Sequence, residues 1–241
     1  MKALILAGGF GKRLKPLTDQ TPKPLLEVAG KPIIVHQIDW LKQYEVKEII
    51  LTIGYMKEKF IEFLGSGRRY NVNICYVVED EPLGTAGAVK NAESLLKNEP
   101  YFYVVNGDVL TSLDPSKLLK ALDQTTIGAI ATVPLPSPYG IIYSDPQDRI
   151  TGFKEKPSLR EYWINAGVYA FKPEILNRLP EKGSIEEAFE KIAPEGKLKT
   201  VKYPDIFWKS IDTFKDIEEA EKTLAQKRIL STIYEPNRFQ T

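Results

Sequence analysis

The 241-residue sequence contains a single cysteine, Cys75, and a single histidine, His36. One cysteine excludes an intramolecular disulfide and a cysteine-based metal cluster, and one histidine excludes a histidine-rich metal site. Ser-His-Asp or Cys-His catalysis would have to use that one imidazole. Charge of one sign is not in excess either, since 33 Lys and Arg residues face 32 Asp and Glu residues. This balance disfavours nucleic-acid or membrane-surface binding through bulk electrostatics, so any phosphate chemistry must be local.

Long apolar runs are also missing. The apolar run at the N-terminus stops at Gly8, which is too early for a signal-peptide core or a membrane-spanning helix. Hydrophobic residues make up 43% and charged residues 27%, close to the average of globular proteins. We therefore expect a cytoplasmic protein with no nucleic-acid or membrane partner. We also expect Cys75 to be a small core residue of a strand, and His36 to pack or face solvent rather than to catalyse.

What the sequence does contain is an alternation of short apolar runs and amphipathic helical patterns. Strands are predicted at residues 2–6, 48–53, 73–78, 101–105 and 127–133. Helices are predicted at residues 32–44, 57–64, 85–96 and 214–226, with others beginning at the Asp114-Pro115 pair and at a capping box opened by Ser184. Alternation on this scale predicts the α/β class, with an open, mostly parallel sheet covered on both faces.

The alternation of strands and helices stops at a proline-rich stretch that begins at Pro134. Short β-like runs follow it at residues 140–143, 150–154 and 166–171, and we interpret this segment as an inserted antiparallel lobe. The chain is then a single domain, residues 1–241. Its parts are the main core (residues 1–135), the lobe (136–172) and a segment that completes the core (173–241).

The loop Gly8-Gly9-Phe10-Gly11-Lys12-Arg13 follows the first predicted strand, so its backbone N–H groups can converge on phosphate oxygens. It matches neither common phosphate loop. A P-loop would need glycine at Leu6 and Ser or Thr at Arg13, and a Rossmann loop begun at Gly9 would need glycine at Leu14. A plain strand-to-helix turn is the alternative, although it does not explain three glycines beside a Lys-Arg pair.

Two further positions suit phosphate and metal chemistry. Two prolines hold Lys23 in an extended segment, and such a lysine suits a point-charge contact to phosphate. Asp108 follows the strand at residues 101–105, at the carboxyl end where open α/β sheets place ligands. Its carboxylate could hold Mg²⁺ against triphosphate oxygens. A solvated lysine and a turn or cap aspartate are the alternative interpretations.

The glycine loop and Lys23 lie in the run GGFGKRLKPLTDQTPKPLLEVAGKP, which closely resembles the signature of the sugar-phosphate nucleotidyltransferases. Those enzymes join a nucleoside triphosphate to a sugar 1-phosphate and release pyrophosphate. The resemblance continues in chain order through EDEPLGTAG, NGD, YGI, FKEKP, NAGVY and IDT. It implies a Rossmann-like fold with a nucleotide-binding core and an inserted sugar-binding lobe, in agreement with the alternation of strands and helices.

The resemblance also implies roles for individual residues. Arg13 and the glycine-loop amides would hold the triphosphate, Lys23 would lie at the reacting phosphates, and Asp108 and Asp212 would hold Mg²⁺ as the cofactor. Asp212 could otherwise cap the last helix, although Thr213 is equally well placed. The nucleotide-binding positions implied are Leu6, Ala7, Gly8, Gly9, Gly11, Glu79, Gly84 and Thr85.

A second set of positions is implied for the sugar 1-phosphate. Glu155 would take sugar hydroxyls and Lys156 would approach the sugar phosphate, whereas an exposed Glu-Lys pair is otherwise solvated charge. The pocket would be framed by a small residue, an amide and an apolar wall. These positions are Gly140, Asn165 and Val168, for which turn or core roles stay open.

The choice of base follows from Glu79, which stands five residues before Gly84 at the family position that meets the base edge. A carboxylate can accept hydrogen bonds from N1–H and the amino group of guanine, whereas uracil offers one donor beside a carbonyl. The Pro82–Gly87 context also resembles that of mannose-1-phosphate guanylyltransferases. We expect GTP with mannose 1-phosphate, and UTP or dTTP with glucose 1-phosphate is the alternative.

Two other classes of protein share this architecture. Non-catalytic regulatory relatives tend to lose charged positions, whereas Arg13, Lys23, Asp108, Lys156 and Asp212 are all present. Glycosyltransferases carry an Asp-x-Asp metal motif, which the sequence after Asp108 does not match. The chain ends soon after the helix that follows Asp212, so we expect no C-terminal β-helix domain. A homo-oligomer stays open.

Overall fold

The structure is a computed structural model that describes the backbone of residues 1–234 and the side chains of residues 1–226. Residues 235–241, counted above in the segment that completes the core, lie outside the described residues. The strands are β1 (Lys2–Leu6), β2 (Glu27–Val28), β3 (Lys31–Pro32), β4 (Glu48–Ile53), β5 (Asn73–Val78), β6 (Phe102–Asn106), β7 (Val109–Thr111), β8 (Gly128–Pro136), β9 (Ile141–Ser144), β10 (Ile150–Lys154), β11 (Ser158–Phe171), β12 (Leu198–Lys202) and β13 (Trp208–Ser210). The helices are α1 (Ile33–Gln43), α2 (Lys57–Leu64), α3 (Gly84–Asn91), α4 (Glu93–Leu96), α5 (Ser116–Ala121), α6 (Ile185–Ile192) and α7 (Phe214–Tyr234).

A seven-stranded sheet with the order β12-β8-β11-β6-β1-β4-β5 organises the fold. Strand β1 is parallel to β4 and β6, β4 is parallel to β5, and β8 is parallel to β12. Only β11 runs antiparallel to its neighbours in this sheet, β6 and β8. The sheet is therefore open and mostly parallel, and the predicted fold class is confirmed.

Helices cover both faces of this sheet. Helices α1, α2 and α5 pack on one face, and α3, α4 and α6 pack on the other. Successive side chains of a strand point to opposite faces, so Leu4 joins one core cluster and Ile5 the other, both fully buried. Burial of one such side chain stabilises the fold by about 1.5–3 kcal/mol. Covered faces explain why the strands occur in the sequence as unbroken apolar runs.

Several predicted helix ends are found in the structure. The Ser184 hydroxyl accepts a hydrogen bond from the Glu187 N–H at 3.2 Å and caps α6. The Asp114 carboxylate accepts the N–H of Ser116 at 2.9 Å, where α5 begins. The helix predicted at residues 85–96 is divided at Ala92 into α3 and α4.

The inserted lobe is smaller than the sequence predicts. Strands β9 and β10 form an antiparallel pair, and the start of β11 pairs with the end of β8. The second half of β11 instead lies in the central sheet, where Val168 pairs with Val105 of β6. The run at residues 166–171, expected in the lobe, is buried throughout because both of its faces lie in the core.

Two residues singled out by their rarity lie away from the cavity described below. The expectation that Cys75 is a core residue is wrong, because β5 is an edge strand and Cys75 is exposed on it. Its neighbours Ile74 and Tyr76 are the residues that pack against the core. The His36 ring lies on α1, with Nε2 2.8 Å from the Val28 carbonyl oxygen, as expected of a packing residue. Within the described part of the chain, no helix is long and apolar enough to cross a membrane.

Candidate functional site

A cavity of about 390 Å³ opens at the carboxyl ends of β1, β4 and β6. Open α/β sheets place their ligands at this edge. The residues lining it come from the glycine loop, the loop before α3, the turn after β6 and the segment after β13. They include every position assigned above to the nucleotide or the metal: Leu6, Ala7, Gly8, Gly9, Gly11, Arg13, Lys23, Glu79, Gly84, Thr85, Asp108 and Asp212.

One cation lies between two carboxylates in this cavity. Lys23 Nζ is 2.7 Å from Asp108 Oδ2 and 3.0 Å from Asp212 Oδ1. The lysine side chain is 13% exposed, so little water competes for the ammonium. Arg13 approaches the same Asp212 oxygen at 3.4 Å, although its own side chain is 75% exposed. Four residues from three distant parts of the sequence thus form one charged cluster.

Local strand pairing explains why the two carboxylates meet. Asp108 directly precedes β7 and Asp212 closely follows β13, and these two strands pair antiparallel with Ser210 opposite Val109. The Ile211 N–H also donates to the Asp108 carbonyl at 2.9 Å. The backbones that carry the two carboxylates are therefore held together directly.

Asp212 is not used as a helix cap. The Thr213 hydroxyl accepts the Asp216 N–H at 3.3 Å, and the Asp216 carboxylate accepts the N–H groups of Asp212 and Thr213. Burial favours the neutral form of the Asp212 carboxyl, but Lys23, the Ser210 hydroxyl and Arg13 outweigh it and lower its pKa. The Asp212 carboxylate therefore interacts with the cations of the cavity and not with the start of α7.

The turn that carries Asp108 is held by a residue that sequence reasoning missed. Gln37 on α1 is 2% exposed, and its Nε2 donates to the carbonyls of Asn106 at 2.8 Å and Val109 at 2.9 Å. These carbonyls flank the turn, so one side-chain amide connects its two ends. The sequence signal was a glutamine within the apolar stripe of an amphipathic helix.

At another part of the lining, Glu79 lies against the glycine loop. A β-carbon at Gly8 would come within 2.9 Å of Glu79 Oε1, so the carboxylate lies directly against the loop and would have to shift if Gly8 carried a side chain. Glu79 Oε2 accepts the Leu83 N–H at 3.3 Å. Burial raises the pKa of the Glu79 carboxyl above its ordinary value, although the Leu83 N–H opposes the rise.

Gly84 and Thr85 line the cavity and also have structural contacts. Gly84 has φ +74°, and a β-carbon there would lie 2.4 Å from the Gly183 carbonyl oxygen. The Thr85 hydroxyl accepts the Ile185 N–H at 2.8 Å, at the start of α6. Both residues therefore have a structural role, because they hold the start of α3 against the segment that leads into α6.

The positions assigned to the sugar 1-phosphate do not line this cavity. On the lobe, a β-carbon at Gly140 would lie 3.0 Å from Glu155 Oε2, and Lys156 Nζ is 3.7 Å from Glu155 Oε1. Asn165 is occupied with Tyr169 and the Gly167 N–H. Val168 is fully buried in the core, so the structure gives it a packing role and not an exposed pocket wall.

Further residues line the cavity without having been predicted. All except Thr52 and Ala88 lie within the motifs that carry the family resemblance, although no role was assigned to them. Lys12 differs because it is charged. The set is Phe10, Lys12, Leu14, Pro24, Thr52, Pro82, Ala88, Asn106 and Gly107.

A metal ion would find two protein ligands here and not a complete cage. In the described residues no three His, Cys, Asp or Glu side chains are grouped to hold a metal. The carboxylates of Asp108 and Asp212 nevertheless both contact one cation, the ammonium of Lys23, and so lie close enough to share a metal ion. One or two carboxylates completed by water and phosphate oxygens are the usual environment of Mg²⁺, so the donor set fits that ion.

Comparison with known proteins identifies the family of the chain. Residues 2–227 match the sequence profile of the family described as nucleotidyl transferase. A mannose-1-phosphate guanyltransferase of Aspergillus oryzae is 40% identical over 227 residues, which cover 90% of this chain and 62% of that protein. The mannose-1-phosphate guanylyltransferase catalytic subunit beta of Danio rerio is 40% identical over 226 residues, with the same coverage.

A solved structure with the same fold is HddC from Yersinia pseudotuberculosis, complexed with GMP-PN. It superposes with a TM-score of 0.71 at 28% identity, covering 92% of this chain and 99% of that one. By contrast, the chain spans only 62% of the length of the two curated relatives.

Proposed function

The chain belongs to the nucleotidyl transferase family, and on that premise we propose that it transfers a nucleoside monophosphate from a nucleoside triphosphate to a sugar 1-phosphate. The products are a nucleotide sugar and pyrophosphate, and the proposed substrates are GTP and mannose 1-phosphate. The observation that carries the proposal is Lys23 held between Asp108 and Asp212 in a cavity that also contains Glu79. A cation, two potential metal ligands and a reader of the base are what this reaction requires.

The proposed step is an in-line displacement at the α-phosphorus. A phosphate oxygen of the sugar 1-phosphate forms a bond to that phosphorus, and the bond from the phosphorus to the α–β bridging oxygen breaks. The electron pair of the broken bond stays on the bridging oxygen, which leaves as part of pyrophosphate. A phosphate monoester has a second pKa of about 6, so the attacking oxygen is already ionised at neutral pH. No general base is needed, which suits a chain whose one imidazole is on a packing helix.

Enzymes of this family generally use a divalent metal, and we propose Mg²⁺ held by Asp108 and Asp212. When bound, the ion neutralises charge on the phosphate oxygens. Lys23 would then face the reacting phosphates and Arg13 the triphosphate. Acceleration would come from bringing two anions together in a fixed geometry and from electrostatic stabilisation of the transferring group. The side chains that supply this positive charge are already fixed by the cluster.

The proposal of guanine rests on Glu79. Its carboxylate lies against Gly8 in the cavity, where it can accept from two donors on the Watson–Crick edge of guanine. The names of the fungal and fish relatives, and the GMP-PN in the HddC structure, support the same base. The relatives' names also support mannose 1-phosphate. Its proposed site on the lobe uses Gly140, Glu155, Lys156 and Asn165, without Val168.

The test is pyrophosphate release from purified protein with Mg²⁺, using GTP, UTP, dTTP, CTP and ATP against mannose, glucose and N-acetylglucosamine 1-phosphates. We expect GTP with mannose 1-phosphate to give the highest kcat/KM. A Glu79→Gln variant should lose about 10- to 100-fold in kcat/KM for GTP, since a hydrogen bond to a charged group contributes about 1.5–3 kcal/mol. Preference of the wild type for UTP or dTTP would contradict the base assignment.

A matched control is available two residues away. Glu81 is exposed and pairs with Lys182 at 2.9 Å, so Glu81→Gln removes the same charge without changing the cavity lining. We expect its kinetics with GTP to equal those of the wild type. Lack of pyrophosphate release with every substrate pair would refute the proposed function and favour a non-catalytic binding protein.

A further inference from the structure

Three cations line the cavity, and they differ in what holds them. Lys23 and Arg13 both contact Asp212, and Lys23 contacts Asp108 as well. Lys12 is the third. Its Nζ lies 5.6 Å from the centre of the Phe10 ring, and no carboxylate of the described residues comes within 4.0 Å of it. Lys12 is therefore the lining cation whose charge is not already balanced by an acidic partner.

The contact with Phe10 locates the ammonium without neutralising it. An aromatic face attracts a cation through its quadrupole at distances up to about 6 Å, and it carries no net charge. The Phe10 ring is itself supported by Tyr55, with ring centres 5.2 Å apart. A carboxylate partner would need to be displaced before Lys12 could bind an anion, whereas the ring does not.

The direction of the glycine loop places Lys12 at the phosphate end of the cavity. Gly8 lies against Glu79, the proposed reader of the base, and a β-carbon at Gly11 would lie 3.1 Å from Lys23 Cβ. The loop therefore runs from the base towards the reacting phosphates, and Lys12 is the next residue beyond Gly11. The phosphates farthest from the base in a nucleoside triphosphate are the β- and γ-phosphates.

The charge of the lining indicates the same role. The cations Lys12, Arg13 and Lys23 are matched in number by the carboxylates Glu79, Asp108 and Asp212. A triphosphate brings several more negative charges, and negative charge accumulates on the bridging oxygen as pyrophosphate departs. On the proposed function, the sugar phosphate faces Lys156 and the α-phosphate faces Lys23. Arg13, which faces the triphosphate, also contacts Asp212. Lys12 is therefore the lining cation that can contact the leaving phosphates without giving up a carboxylate partner.

We propose that Lys12 binds the β- and γ-phosphates of the nucleoside triphosphate and stabilises pyrophosphate as it leaves. The inference rests on the proposed function. A contact with the β- and γ-phosphates affects only one substrate in each of the forward and reverse reactions. GTP and pyrophosphate carry the group that Lys12 recognises, whereas mannose 1-phosphate and GDP-mannose do not. Loss of Lys12 should therefore weaken the first pair and leave the second pair unchanged.

The test compares Lys12→Met with Lys15→Met in both directions of the reaction. Lys15 lies on the same loop, is exposed, pairs with Asp19 at 2.9 Å and does not line the cavity, so it controls for the loss of one positive charge. Because Lys12 is exposed, its replacement should not unfold the chain. For Lys12→Met we expect KM for GTP and for pyrophosphate to rise about tenfold, as fits one charge–charge contact partly open to water. Lys12→Arg should restore most of the affinity.

The outcomes separate the inference from the function it rests on. If the wild type shows no turnover with any substrate pair, the proposed function has failed. If it turns over, an unchanged KM for pyrophosphate in Lys12→Met overturns the inference. An equal rise in KM for GDP-mannose and pyrophosphate would also overturn it, since that result indicates a general loss of charge. Calorimetric titration of inorganic pyrophosphate into the protein, with Mg²⁺ in the buffer of both solutions, gives a readout without turnover, with affinity expected to fall for Lys12→Met alone.

Discussion

Replacement of Lys23 by methionine tests the charged cluster most directly. Methionine keeps most of the apolar stem but removes the ammonium that lies 2.7 Å from Asp108 and 3.0 Å from Asp212. The two carboxylates then converge without a cation between them, because Arg13 contacts only Asp212 and is mostly exposed. We expect the variant to lose about 10²–10³-fold in kcat, the usual effect of removing one preorganised electrostatic contact to the transition state.

The same change should turn the free protein into a better metal site. If the freed carboxylates bind Mg²⁺ with a Kd of about 1 mM, 10 mM Mg²⁺ stabilises the fold by about 1.4 kcal/mol, from RT ln(1 + [L]/Kd). For a domain of this size, that free energy raises Tm by about 3–5 °C. In the wild type the ammonium competes for both carboxylates, so the shift should stay below about 1 °C.

Thermal unfolding with and without Mg²⁺ at constant ionic strength provides the measurement. Lys31 forms a 2.8 Å ion pair with Asp39 outside the cavity lining, so Lys31→Met controls for the loss of a lysine ion pair. Adding Asp108→Asn to Lys23→Met should abolish the extra shift. The metal assignment would be refuted if Mg²⁺ raised the Tm of Lys23→Met no more than that of Lys31→Met.

Two further predictions concern residues around this cluster. Burial raises the pKa of Glu79, and guanine recognition needs the ionised carboxylate, so kcat/KM for GTP should fall as pH falls through that raised pKa. A Glu79→Gln variant should lose the Glu79 contribution and keep only the fall caused by protonation of the sugar phosphate, whose second pKa is about 6. Gln37→Leu leaves two buried carbonyls without their donor, so it should lower stability by about 1–3 kcal/mol and raise the Mg²⁺ concentration needed for half-maximal rate. As a control, Trp40→Phe removes a comparable hydrogen bond to the Leu113 carbonyl, so it should lower stability without changing the Mg²⁺ requirement. Thermal unfolding measures the first effect, and Mg²⁺ titration of the rate measures the second.

The sequence was sufficient to predict the layers of the fold because its strands are covered on both faces. Such strands appear as short, nearly continuous apolar runs. The amphipathic helices between them instead repeat their apolar residues every three or four positions. The edge strand β5 was the exception. Its alternation left Cys75 exposed, although the apolar residues on either side predicted a core position. Whether a strand lies in the middle or at the edge depends on strand order, which local pattern does not contain.

The path of β11 was also beyond local reasoning. One strand of 14 residues begins beside the lobe and ends in the central sheet, so its two halves belong to different parts of the molecule. The sequence shows a polar half and an apolar half but no break between them. The burial of Val168 follows from this path, because the central-sheet half of β11 begins there and its side chains lie in the core.

The cluster of Lys23, Asp108 and Asp212 shows what family resemblance contributed and what it did not. Taken alone, Lys23 could be a solvated lysine, and Asp108 and Asp212 could be turn or cap residues. The resemblance to the family is what assigned the three residues to one site. The pairing of β7 with β13, which connects the backbones of the two carboxylates, has no local signal because the strands are three residues each and far apart in the chain. Gln37 was missed for a related reason, since its partners are backbone carbonyls that a sequence does not distinguish.

The balance of charge in the whole chain is repeated in the cavity, where three cations face three carboxylates. A lining without net charge does not attract anions from a distance, so substrate binding depends on exchange of partners within the cluster. While Asp108 and Asp212 face Lys23, a triphosphate without metal would meet two carboxylates at the reacting phosphates, and Lys12 would be the one lining cation without a carboxylate partner. If the two carboxylates hold Mg²⁺ as proposed, Lys23 and Arg13 would be free to face phosphate oxygens. On this reasoning the nucleotide and its metal bind as one unit, and nucleotide alone should bind weakly.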